Sequence, residues 1–165
     1  MQVVSDLLQD AKAAIGSRDW DLAEQLFRRA LDSDALNAAA CSGLAELLAM
    51  RGRFKEVVAT YSQLVEILVK IQDYAGALGT VDRILGLQPQ STAARQSKIE
   101  IYAKLNDRGA WLQHTRELAR ILIELGHGDQ SIELLKAAEV ADCENLEIGL
   151  ELAEVYVSYG LIADG

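Results

Sequence analysis

Apolar residues recur along this chain at intervals of three and four. Across residues 19–33 they fall at Trp20, Ala23, Phe27, Ala30 and Leu31, a single stripe of a helix whose other side is polar. Across residues 54–71 they fall at Phe54, Val57, Val58, Tyr61, Leu64, Val65, Ile67, Leu68, Val69 and Ile71. That covers more than half the circumference, so this helix needs neighbours on more than one side. The stretch "LARILIEL" gives residues 109–125 the same character. The alternation of period two that marks a strand is absent. Punctuation falls at Gly16-Ser17, Ser33-Asp34, Gly52, Gln72-Asp73, Gln88-Pro89, Asn106-Asp107, Gly126 and Asp142. The pattern therefore predicts nine helices, at about 2–16, 19–33, 37–51, 54–71, 74–87, 91–105, 109–125, 128–141 and 145–160. Linkers this short force consecutive helices to run antiparallel.

The pattern also repeats. Displaced by 54 residues, "DWDLAEQLFRRALDSDALNAAA" (19–40) falls on "DYAGALGTVDRILGLQPQSTAA" (73–94), and a weaker third copy begins at His127. Trp20 meets Tyr74; Ala23 meets Ala77 and Ser131; Phe27 meets Val81 and Leu135; Glu46 meets Glu100 and Glu154. Three such units fill almost the whole chain, each of three helices that bury their apolar faces by stacking on the next. The expected architecture is all-α, an α-solenoid of about nine antiparallel helices forming one domain over residues 1–165.

These residues resemble the tetratricopeptide repeat family, whose helix–turn–helix motif is about 34 residues long. Motifs set at 4–37, 58–91 and 112–145 place Ala11, Ala23 and Ala30, then Val65, Ala77 and Ile84, then Ala119, Ser131 and Ala138, at the positions that the family reserves for small residues. Trp20 and Phe27, or Tyr74 and Val81, take its large apolar positions, and Pro89 its proline. Small residues there let two helix backbones approach. The resemblance implies a right-handed superhelix and a protein-binding function. The chain departs from the family in its linking helices, 37–51, 91–105 and 145–160. Pairing each of the first two with the helix that follows puts Val57 and Leu64, or Trp111 and Leu118, at small positions, which predicts looser contacts there. Trp111 reads as core at a unit boundary or as an exposed partner anchor.

Composition narrows the function. Half the residues are hydrophobic, a quarter are charged and proline occurs once, as expected of a soluble helical chain. The net charge of −9 argues against nucleic-acid binding, which needs a cationic footprint. "MQVVSDLLQDAKAAIG" lacks the basic and apolar regions of a signal peptide, and no window is apolar enough to span a membrane, so a cytoplasmic location is expected. Cys41 and Cys143 sit among apolar neighbours and read as small buried hydrophobes. His114 and His127 have no ligand-spaced partners and read as surface or turn histidines, Arg28 and Arg29 read as a solvated helix face, and nucleotide, zinc-protease and nucleophile-elbow motifs are missing. No enzyme activity, cofactor or metal is expected.

Acid is concentrated at one end. Residues 127–165 hold one basic residue, Lys136, against nine acidic ones, so −8 of the net −9 lies there. Glu144, Glu147, Glu151 and Glu154, spaced 3, 4 and 3, share one helix face. By the resemblance, Glu147 and Glu154, with Glu46 and Glu100 at the matching place in earlier units, would line the groove where relatives hold peptides. The stripe, Glu151 included, is then an acidic groove end that attracts a basic partner segment, or else a solvated outer face. The family's Lys–Asn clamp on a partner's C-terminal carboxylate is not matched, since Ala39, Ser42 and Glu46, or Ala93, Gln96 and Glu100, stand there. The chain ends at "YGLIADG", one turn into the next copy of a buried helix, which predicts a fragment of a longer protein. Its last helix, with Leu152, Val155, Tyr156 and Tyr159, is then expected to be exposed and to support self-association. The expected function is a protein–protein interaction scaffold. A homo-oligomerisation module and a regulatory domain attached to an enzyme are the alternatives.

Overall fold

The computed structural model describes residues 2–141, 149–150, 152–154 and 157. Among them are eight complete helices: α1 (Gln2–Gly16), α2 (Trp20–Ser33), α3 (Ala38–Met50), α4 (Phe54–Lys70), α5 (Tyr74–Leu87), α6 (Thr92–Leu105), α7 (Arg108–Glu124) and α8 (Gly128–Ala141). The described residues include no strand. Those from 149 onward are helical and fall within the expected ninth helix, the rest of which lies outside the described residues.

The 54-residue period is written in the turns. Left-handed backbone occurs at Arg18, Gln72 and Gly126, three positions each 54 apart, and at Gly52 and Asn106, again 54 apart. After each, the next N–H reaches back to close the preceding helix: Asp19 to the Ala14 carbonyl at 2.9 Å, Asp73 to Leu68 at 2.8 Å, His127 to Leu122 at 2.7 Å, Arg53 to Leu48 at 3.0 Å and Asp107 to Tyr102 at 3.1 Å. This is the Schellman ending, which satisfies otherwise orphaned carbonyls. The same residue can then begin the next helix. The carboxylates of Asp19, Asp73 and Asp107 accept from the N–H groups of Leu22, Gly76 and Ala110. A second kind of linker has no left-handed residue and ends in Asn37 or Ser91, also 54 apart, whose side chains cap α3 and α6.

The chain divides into two compact units, Met1–Pro89 and Gln90–Gly165. In the first, α1 to α5 pack in sequence order, each on the next. Ala11 of α1 and Ala23 and Ala30 of α2 are fully buried. Phe27 of α2 lies over Gly43 of α3, where a Cβ would come within 2.4 Å of its ring. The looser contact expected between the third and fourth helices is not found. The Cys41 thiol donates to the Thr60 carbonyl at 3.4 Å, so α3 lies directly on the α4 backbone. Here the small residues come from the other partner: Ala40, Cys41 and Ala45 of α3 are fully buried, which leaves room for Val57 and Leu64 on α4.

In the second unit α7 packs between α6 and α8. The buried Ser131 hydroxyl donates to the Ala119 carbonyl at 3.0 Å, so the serine in the small position of the third copy satisfies its own polarity while α8 closes on α7. Ala119, Ile132, Leu135, Ala138 and Leu152 form one core cluster; Ile99, Leu118 and Leu122 form another, and Trp111 packs against both. Leu152, expected on an exposed face of the last helix, is instead buried, at 7% exposed. Leu150 and Val157 are exposed instead, while Val155, Tyr156 and Tyr159 lie outside the described residues.

Candidate interaction surfaces

Glu46 lies on α3 and Glu100 on α6, both exposed. Each is steadied by the residue one turn earlier: the Ser42 hydroxyl donates to Glu46 at 3.4 Å, and the Gln96 amide donates to Glu100 at 3.3 Å. The donors are themselves 54 residues apart, so the repeat reproduces an oriented surface carboxylate as well as a core. Glu154 is exposed on a helical stretch. Glu144, Glu147 and Glu151 lie outside the described residues.

The second unit contains a groove of about 290 Å³. Thr92, Ala93 and Gln96 of α6 line it on one side, and Gln130 and Leu134 of α8 on the other. Its floor is Leu118 and Leu122 of α7, both buried. An apolar floor between two side-chain amides can take an apolar side chain while the amides bond to a peptide backbone. Gln96 links this groove to Glu100. No sequence signal marked Gln130 and Leu134, because nothing in a linear pattern tells which residues of α8 face α6 across α7.

Beside the groove, a polar chain ties α6 to α7. The Arg95 guanidinium lies 2.6 Å from the Glu117 carboxylate, and His114 Nδ1 is 3.2 Å from the other oxygen of that group. The His114 ring stacks on Tyr102, with centroids 5.1 Å apart and planes 12° apart. Burial pushes the Glu117 carboxyl up, but the His114 hydrogen bond and the Arg95 charge outweigh it and hold the group below the usual carboxylate range. His114 is thus half-buried and engaged, a correction to its reading as a surface or turn histidine; His127 is exposed as expected. A second concavity, about 380 Å³, lies at the α6–α7 turn between Tyr102 and Trp111, with Asp107 and Arg108 in its wall.

In the first unit the Glu24 carboxylate, 5% exposed, is surrounded by cations. Arg28 lies 2.6 Å from it, and Arg51 and Arg53 2.7 Å each. Arg51 also reaches Asp21 at 2.9 Å, and Arg53 pairs with Glu56. The hydrogen bond from Arg53 draws the Glu56 carboxyl below its usual range. The network joins α2 to the α3–α4 turn, and Arg28 belongs to it rather than to a merely solvated face. It balances three acids against three arginines, so it is a structural clamp more than a source of surface charge. The 54-residue repeat does not carry it, since Leu78, Asp82, Leu105 and Asp107 stand where Glu24, Arg28, Arg51 and Arg53 would recur.

Cys41 is fully buried, and burial pushes its thiol up to about 11, so it stays protonated and unreactive at neutral pH. Among the described residues no three His, Cys, Asp or Glu side chains are grouped to hold a metal ion, and no helix is long and apolar enough to cross a membrane.

These features define an all-α protein of repeated, antiparallel helices with Schellman turns and small-residue contacts. Residues 14–72, from the end of α1 through α4, match the model of the tetratricopeptide repeat family. No curated protein matches the chain. Among solved structures it is similar to the nearly identical TPR-like repeats of a Podosopora anserina kinesin light chain, at 19% identity over 96% of this chain and 88% of that one, with a TM-score of 0.46. It is also similar to a thermophilic TPR protein of Thermus thermophilus, at 17% identity over 93% and 99%, with a TM-score of 0.34. A third likeness is to MamA, at 13% identity over the whole of both chains, with a TM-score of 0.37.

Proposed function

We propose that this protein is a protein–protein interaction scaffold that holds a basic segment of a partner protein on helix-lined surfaces, with no covalent chemistry. The tetratricopeptide repeat match supports the general role. The observation that carries the finer reading is the groove of the second unit, with its apolar floor, its amides on facing walls and the oriented Glu100 beside it. Such a site recognises shape and backbone, and an acidic rim adds attraction for a basic segment. Residues 1–165 act in this reading as one helical-repeat domain of a cytoplasmic protein, with motifs at 4–37, 58–91 and 112–145 and linking helices at 37–51, 91–105 and 145–160. Glu46, Glu100, Glu147, Glu151 and Glu154 supply the negative charge.

The test begins with partners recovered on the immobilised chain at low and at physiological ionic strength, followed by titration of the purified partner. Affinity should fall steeply as salt rises, and Glu100→Lys combined with Glu147→Lys and Glu154→Lys should weaken it by about tenfold or more. Unchanged affinity in that triple variant would sink the electrostatic reading. The exposed Leu150 and Val157 favour a second reading, self-association. Recovery of the chain's own copies alone, with a mass that grows with concentration, would select it.

A further inference from the structure

We draw no further inference here: the strongest candidate, the cavity at the α6–α7 turn walled by Tyr102 and Trp111, carries Asp107 and Arg108 side by side, and nothing in the structure shows which ligand or partner covers it.

Discussion

Gln72 and Gly126 offer a reciprocal test of the repeat. Both occupy the left-handed region, at φ of 63° and 80°, at equivalent places in successive copies. A residue with a Cβ pays roughly 1–2 kcal/mol in that conformation, because the Cβ crowds the following carbonyl. Glycine avoids this, but its greater freedom in the unfolded chain returns about 0.5–1 kcal/mol. The Gln72 side chain is exposed, so its removal forfeits little packing. Gln72→Gly should therefore stabilise the protein by about 0.5–1 kcal/mol. Nothing lies within 4 Å of a Cβ built on Gly126, so Gly126→Ala meets no clash and should destabilise by a similar amount through backbone strain alone. In a chain of this size the shifts in midpoint are about 2–4 °C per kcal/mol, readable by circular dichroism or calorimetry. A destabilised Gln72→Gly together with a neutral Gly126→Ala would refute the assignment of these turns.

Three other outcomes follow from particular contacts. Gly43→Ala should cost about 1–3 kcal/mol, because its methyl must displace the buried Phe27 ring; denaturant unfolding measures it, and a neutral result would mean that α2 and α3 are less closely packed than described. Glu24→Gln should destabilise by about 1–3 kcal/mol, below the 3–5 kcal/mol typical of a broken buried pair because Arg51 and Arg53 are 29% and 32% exposed and regain water, while Glu46→Gln should change stability by under about 0.5 kcal/mol. Glu117, with its folded carboxyl held below the ordinary range, contributes stability above the unfolded value of about 4.3 that is lost as pH falls through the lower folded value. Glu117→Gln should thus flatten part of the fall in melting temperature as pH drops below about 5, and an unchanged profile would remove that carboxylate from the account.

Much of the architecture was legible in the linear pattern because its causes are local. Apolar spacing set the helices, and their observed ends lie within a residue or so of those read from punctuation, as with α2 at Trp20–Ser33 and α5 at Tyr74–Leu87. Asp19, Asp73 and Asp107 cap the helices that follow them because a short carboxylate can reach an N–H three residues on, a contact that needs no tertiary partner. The candidate acids were legible only as to position: Glu46 and Glu100 are exposed, but the donors that orient them, Ser42 and Gln96, emerge from side-chain geometry.

By itself, then, the sequence determined the helices, their turns and the 54-residue repeat, since backbone propensity and apolar periodicity act within a few residues. Tertiary structure decided which helix supplies the small residue at each contact. Cys41 against Thr60 does for α3 and α4 what Ser131 against Ala119 does for α7 and α8, and the motif register foresaw only the second. It also decided that Glu24 is buried among Arg28, Arg51 and Arg53, and that Gln96 and Gln130 flank one groove. These facts depend on residues from different helices meeting at set distances, and that meeting is fixed by packing, where volume and charge must be satisfied together.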